Sequence, residues 1–331
     1  MERTPENGCR QLIQVCGDLK AHEKALIISD ESTQAIGNIL AHIALMTSPN
    51  VTHKIIPAAD MHGKEPPDFI ADMMKNADVI FGLTKMSMAH TYARYHANSA
   101  GARYLSLPDY SLELLTRPAL FVDFRKLTTI AESIATRFTE GKKVRVTSEL
   151  GTNLTLNISG RTGNAAPGWC FTKGTLASPP DAEANVAPIE EDTNGVMVVD
   201  GSIPCRELGI LSQPITLHIQ KGKIIAAEGK DSDILNNLFN KFNTDAVRVA
   251  AEFGIGLNPA AELIGSMLED EGCLGTIHIG FGSNITIGGL NRVPFHLDTI
   301  VRNATVYIDD KILMEDGILE KFNESLNELV T

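Results

Sequence analysis

The densest group of side chains able to bind a metal lies in two short stretches of the C-terminal half, Gly275-Thr-Ile-His-Ile-Gly-Phe-Gly282 and Pro294-Phe-His-Leu-Asp298. Both read as strands, in which successive side chains point to opposite faces. His296 and Asp298 therefore share a face, while Leu297 turns to the apolar side. In the first stretch Thr276, His278 and Gly280 share one face and Ile277, Ile279 and Phe281 the other, so a small residue leaves room beside His278. Two imidazoles and a carboxylate converging from adjacent strands would make a metal site with open positions. Such a site suits either zinc-type hydrolysis or the two-His-one-carboxylate arrangement of non-haem iron. The same residues could equally form a plain hydrogen-bond network, and spacing alone does not select among the three.

Two acidic residues upstream read more simply. Glu252 ends a predicted helix from Thr244 to Phe253 and stands four residues after Arg248, the geometry of a surface ion pair that contributes about 0.3 to 0.5 kcal/mol. Glu183 lies in a loop stiffened by Pro179, Pro180 and Pro188 and reads as an exposed acidic turn. Gly280, Gly282, Gly288 and Gly289 fit either a close backbone approach to a substrate or tight turns. No GxGxxG, GKS/T or GxSxG pattern is present. The five cysteines, Cys9, Cys16, Cys170, Cys205 and Cys273, are scattered and form no CxxC, which fits reduced thiols rather than a disulfide framework or a cysteine zinc site.

Positioning these groups calls for two differently built halves, expected at residues 1–140 and 141–331. The first alternates strands and helices: strands over Lys24–Asp30, His53–Ala58, Asp78–Gly82 and Ala102–Leu107, helices over Ser32–Leu45, Pro66–Asn76 and Ala89–Ala100. That alternation predicts an α/β domain with a parallel sheet. Its first turn, Ser29-Asp-Glu-Ser-Thr33, lacks the glycine that a pyrophosphate needs, so no nucleotide site is expected. Ligands of parallel sheets bind at the carboxyl ends of strands, which makes Ser87 and His90 candidate substrate contacts, with helix capping and a surface histidine as the simpler roles. The second half reads as an α+β metal-binding domain. It carries strands at Val144–Thr147 and Thr152–Asn157, hairpins turning at Lys221-Gly222 and Asp309-Asp310, a helix over Asp231–Asn240 and a closing helix over Met314–Leu329.

The chain has 331 residues, 43% of them hydrophobic, and its 29 Lys and Arg against 41 Asp and Glu give a formal charge of −12. A net acidic surface argues against nucleic acid or anionic membrane as a partner, since both require a clustered positive field. No apolar run approaches the roughly 18 to 20 residues that span a bilayer, and the first residues lack the apolar block of an export signal, so a cytoplasmic location is expected.

Taken together, the segments are more specific than any one of them. Ser87-Met-Ala-His90, Ala100-Gly-Ala-Arg103, Leu107-Pro108, Gly151-Thr-Asn-Leu-Thr155 with Gly160-Arg161, and the Glu183 loop closing at Ala187-Pro188 resemble the aminopeptidase T family of leucyl aminopeptidase-like metallopeptidases. The likeness continues in order through Ala251-Glu-Phe-Gly-Ile-Gly-Leu-Asn-Pro259, Leu274-Gly-Thr-Ile-His278 and His296-Leu-Asp298. The resemblance implies a homodimeric two-metal aminopeptidase-like hydrolase acting on a small peptide or amide. Glu183, Glu252, His278, His296 and Asp298 would ligate zinc, cobalt or manganese, with Glu183 and Glu252 also placed to move a proton. Two departures stand out. Ile285 occupies the position where family peptidases bear a tyrosine, seven residues after the histidine matching His278, and it cannot donate a hydrogen bond to an oxyanion. The chain is also shorter than typical family peptidases. A related branch, the 2,5-dihydroxypyridine 5,6-dioxygenases, is similar in size and implies the alternative: a mononuclear Fe(II) ring-cleaving enzyme in which His278 or Glu252 joins His296 and Asp298. A third reading is a catalytically silent binding protein of the same fold.

Overall fold

A computed structural model of the chain describes residues 2–320 together with Phe322 and Leu326. These residues form a mixed α/β protein with one parallel sheet and several antiparallel ones, grouped into two compact units.

The first unit comprises Met1–Arg125 and Gly168–Pro180. Its sheet is parallel throughout, in the order Val51–Ile55, Ala25–Ser29, Val79–Leu83, Arg103–Ser106, Leu176–Ala177. Every residue of Ala25–Ser29 and Val79–Leu83 is buried, which is why both read as continuous apolar runs rather than as alternating patterns. The edge strand Val51–Ile55 is partly exposed and correspondingly polar. Helices Gln34–Leu45, Asp68–Lys75 and Tyr92–Ser99 fill the crossovers that the alternation predicts. The last of them starts where the Thr91 hydroxyl accepts the Arg94 backbone N–H.

The second unit comprises Lys126–Pro167 and Asp181–Thr331 and contains an eight-stranded and a five-stranded antiparallel sheet. The smaller sheet runs His296–Arg302, Thr276–Gly282, Ala250–Gly256, Glu183–Val186, Asn164–Ala166. The two expected hairpins are present, with positive φ at Lys221, Gly222, Asp309 and Asp310, the backbone that such tight turns require.

Three expectations differ from what is observed. Helix Phe124–Glu140 groups with the second unit from Lys126 onward, not with the first half as a division at 140/141 would have it. Its buried stripe of Leu127, Ile130, Ala131, Ile134 and Phe138 explains why, because the Phe138 ring meets Phe253 of the smaller sheet edge-on at 5.6 Å. Gly168–Pro180 conversely returns to the first unit by adding the strand Leu176–Ala177 to the parallel sheet. Thr244–Phe253 is not a helix. Only a single 3-10 turn, Asp245–Arg248, precedes the strand Ala250–Gly256, where pairing on both sides outweighs the weak helical spacing. Lys311–Glu315 and Ile318–Leu319 are strands, so the closing helix does not start at Met314, and its remaining span lies outside the described residues except at Phe322 and Leu326.

Candidate metal centre

Four neighbouring strands of the smaller sheet place the candidate ligands on one face. Register sets Glu252, Gly280 and Asp298 abreast across three strands, His278 beside Gly254, and His296 beside Gly282. On the far side of the Glu252 strand, Glu183 faces Gly256 and Asn185 faces Gly254. Directly paired side chains of an antiparallel sheet stand about 4.5 to 5.5 Å apart at Cβ, within reach of one ion. The register shift between Ala250 and Glu252 re-aims the Glu252 side chain within its strand.

All five predicted ligands therefore converge, as two triads that share Glu252: Glu183, Glu252 and His278, and Glu252, His296 and Asp298. His278 Nε2 lies 2.9 Å from Glu183 Oε2 and 3.9 Å from Glu252 Oε1. His296 Nε2 lies 3.3 Å from both Glu252 Oε2 and Asp298 Oδ1. Each triad holds one histidine and two carboxylates, so the two imidazoles belong to different triads rather than to a single two-His set.

Two glycines make the convergence sterically possible. A Cβ added at Gly254 would sit 2.0 Å from His278 Nε2 and 2.8 Å from Glu183 Oε2. One added at Gly280 would sit 2.7 Å from His296 Nε2 and 2.8 Å from Asp298 Oδ1. Real Cβ atoms do not approach so closely, so any side chain at either position would displace a candidate ligand. Orientation is set by hydrogen bonds behind the ligands. His296 Nδ1 is 2.9 Å from the Ser283 carbonyl, which fixes that nitrogen as the donor and leaves Nε2 to face the carboxylates. Asn185 Nδ2 donates to Glu183 Oε1 at 2.7 Å.

Electrostatics at the site favour a cation. Burial by itself would lower the pKa of His278, but Glu183 and the other carboxylates hold it well above the usual imidazole range. His296 is raised in the same way, chiefly by Asp298 against burial. For Asp298 burial works upward, yet His296 and its hydrogen bond carry the carboxyl below its ordinary value. Glu252 is likewise lowered, with hydrogen bonds from both imidazoles outweighing burial. Two further carboxyls stand in the same field: burial first, then the neighbouring carboxylates, push Asp181 and Glu271 well upward. The cluster thus retains protons to offset its charge, and a cation would replace them. Buried Asp181 Oδ1, Glu271 Oε1 and His278 Nδ1 make no hydrogen bond, so donor capacity remains. Oxygen and imidazole donors of this kind suit Fe(II), Mn, Co or Zn, and the residues present fit a divalent ion.

The expected surroundings of the two glutamates are corrected. Glu252 is buried on a strand, and Arg248 instead bonds Asn236 and Asn240 and covers the Phe239 ring. Glu183 is buried at the start of a strand rather than exposed in a turn. Asp181 and Asn185 were not expected at the site, though the alternation Asp181-x-Glu183-x-Asn185 could have placed all three on one face. Nothing in the local sequence marks Glu271. Ser87 and His90 lie in the first unit, after the strand Val79–Leu83. The Ser87 hydroxyl accepts the Ala89 N–H and lies 3.3 Å from Ser106 Oγ, a local turn role, and His90 is exposed.

Comparison with known proteins points in one direction. The family model NicX, 2,5-dihydroxypyridine 5,6-dioxygenase, matches residues 10–321. The 2,5-dihydroxypyridine 5,6-dioxygenase of Pseudomonas putida strain KT2440 is 30% identical over 141 residues, 39% of this chain and 40% of that protein, so the alignment spans less than half of the relative. A solved structure of the dioxygenase from the same organism superimposes with a TM-score of 0.83 at 20% identity, covering 97% of this chain and 98% of that one. Wild-type AmpT from Thermus thermophilus superimposes with a TM-score of 0.70 at 14% identity, covering 96% and 98%. At those identities the two superpositions establish a shared fold. The family match overturns aminopeptidase T as the principal assignment, and with it the expected aminopeptidase-like hydrolase and metallopeptidase chemistry. The relation to the dioxygenase branch stands. The two branches share a fold, and carboxylate and imidazole donors serve either metal chemistry, so the ligands alone do not separate them.

Proposed function

The chain belongs to the 2,5-dihydroxypyridine 5,6-dioxygenase family, and from that membership we propose that it is an Fe(II)-dependent dioxygenase that opens the ring of a small hydroxylated N-heterocycle. The observation that carries this reading is the convergence of Glu252, His296 and Asp298, with Glu183 and His278 adjoining, on one buried sheet face of a chain in that family. Glu252, His296 and Asp298 would hold the ion, and Glu183 and His278 complete the polar wall beside it. Bound there, ferrous iron would supply the redox chemistry that lets dioxygen react with an aromatic ring.

The chain's own residues supply orientation and proton handling. The Ser283 carbonyl holds the His296 ring so that Nε2 faces inward. Glu183 is raised, chiefly by burial and against His278, and serves as the acceptor for the proton of a substrate hydroxyl. Asn185 engages Glu183 Oε1, while the other oxygen, Oε2, lies 2.9 Å from His278 Nε2, so the two side chains handle that proton as a pair. The test is oxygen consumption by anaerobically reconstituted Fe(II) protein given 2,5-dihydroxypyridine. We expect one O2 taken up per ring lost from the absorbance spectrum, and iron-loaded protein that consumes no oxygen with this or related hydroxypyridines overturns the reading.

A further inference from the structure

The loop Ser283–Asn291, which joins the His278 and His296 strands, touches the supports of both triads. At its start the Ser283 carbonyl meets His296 Nδ1 at 2.9 Å. Further along, the Ile287 carbonyl accepts from Asn164 Nδ2 at 3.3 Å, and the same Asn164 group donates to Asn185 Oδ1 at 3.0 Å. Asn185 in turn donates to Glu183 Oε1. One loop therefore backs a residue of each triad, through one hydrogen bond to His296 and through a chain of three to Glu183.

From outside, that loop is held by an ion pair and by Asn291 Nδ2, which donates to the Ala246 carbonyl at 2.8 Å. Arg161 follows the turn at Gly160, and its Nη2 pairs with Glu190 Oε2 while its Nη1 donates to the Gly288 carbonyl at 2.6 Å. The other Glu190 oxygen accepts from Leu290 N at 2.6 Å and from Asn284 Nδ2 at 3.0 Å. Both side chains are largely shielded, 10% and 18% exposed, so the pair escapes most of the screening that weakens surface bridges. Asn284 is fully buried, and its Oδ1 accepts the Asn291 N–H, closing the loop on itself. Three loop positions, 284, 288 and 290, thus bond directly to two residues that coordinate nothing. The proposed chemistry also leaves Arg161 of the Gly160-Arg161 motif without a role.

We propose that Arg161 and Glu190 are positioning residues that lock this loop and thereby hold His296 in ligating orientation and Glu183 in place beside the ion. The inference rests on the reading that Glu252, His296 and Asp298 hold a divalent ion. A guanidinium is needed because its planar fork reaches Glu190 and the Gly288 carbonyl at once, which a single ammonium does poorly. Partners behind metal ligands commonly carry 10- to 100-fold in affinity.

Anaerobic titration of the metal-free protein with Co(II), followed by its visible ligand-field bands and by equilibrium dialysis, tests this without turnover. Relative to wild type, Arg161→Met is expected to weaken Co(II) binding at least tenfold and to alter the band shape, and Arg161→Lys to recover only part of the loss. Asn164→Ala, which cuts only the Glu183 branch, is expected to weaken binding less than Arg161→Met and serves in its place if that variant does not fold. Wild-type affinity and spectrum in folded Arg161→Met, or in Asn164→Ala when the former is unfolded, overturn the inference alone. A wild-type protein that binds no Co(II) or Fe(II) overturns the metal reading as well, so the two failures are distinguishable.

Discussion

At the scale of single residues, the site depends as much on missing side chains as on present ones. Gly254 and Gly280 lie within the sheet among the ligands, and a methyl group at either would meet an imidazole nitrogen well inside contact distance. Gly280→Ala should therefore lower Co(II) or Fe(II) affinity at least tenfold while the far-UV circular dichroism is unchanged, and equal affinity would remove the steric account. His296→Ala should abolish stoichiometric metal retention with the fold intact, since it deletes one proposed ligand and leaves a polar, water-accessible gap at a partly exposed strand end. Metal analysis of the purified variant reads this directly, and retention of a full equivalent of iron refutes the ligand role. The shared face of His296 and Asp298 was legible from alternation alone, whereas the space over Gly280 is taken by those two side chains and the room for His278 comes from Gly254. Burial of Glu183 and Glu252 was not, because a carboxylate carries no local mark of what will surround it.

At the scale of elements, the stretch around Glu252 is the instructive case. Arg248 and Glu252 fit a helical i, i+4 pair, yet Ala250–Gly256 is the central strand of the site sheet, hydrogen-bonded on both edges. Short apolar stretches with alternating glycine satisfy both patterns, and only partners distant in sequence decide between them. Helix Phe124–Glu140 supports that strand from behind through Phe138 against Phe253. Phe138→Ala should cost about 3 to 5 kcal/mol of stability, read as a lowered urea midpoint. Its effect should extend to metal affinity, because Glu252 is the immediate neighbour of Phe253. A loss under about 1 kcal/mol would show that the ring contact is not what ties the helix to the sheet.

At the scale of the whole molecule, several acidic groups and two imidazoles are buried at one place, and their charge links folding to metal and to pH. His278, His296, Asp181 and Glu271 all have pKa values raised in the folded protein without metal. Groups raised on folding contribute stability at pH below their ordinary values and lose it as pH climbs toward the raised ones. Asp298 and Glu252, held low, are ionised throughout neutral pH in folded and unfolded chains alike and drop out of the slope there. Metal binding runs the other way, because imidazolium must lose its proton to ligate. The rise in Tm on adding Fe(II) or Co(II) anaerobically should therefore grow from about pH 6 to about pH 8, reaching about 2.7 kcal/mol of added stability at a hundredfold excess over Kd. Differential scanning fluorimetry with and without chelator measures this, and a shift that shrinks with rising pH contradicts the charge assignment. Among the described residues no helix is long and apolar enough to cross a membrane.

Read from residues alone, the chain already specified its parallel α/β half, its two tight hairpins and the strand alternation that turns His278, His296 and Asp298 to polar faces. These follow from periodicity and turn chemistry, which act over a few neighbours. Which distant segments pair, and hence that Glu183 and Glu252 stand beside those histidines, that helix Phe124–Glu140 belongs with the second unit, and that Arg161 reaches a loop more than a hundred residues away, was decided only in three dimensions. Register between strands is a property of the assembled sheet, set by packing across its whole face rather than by any one strand's sequence.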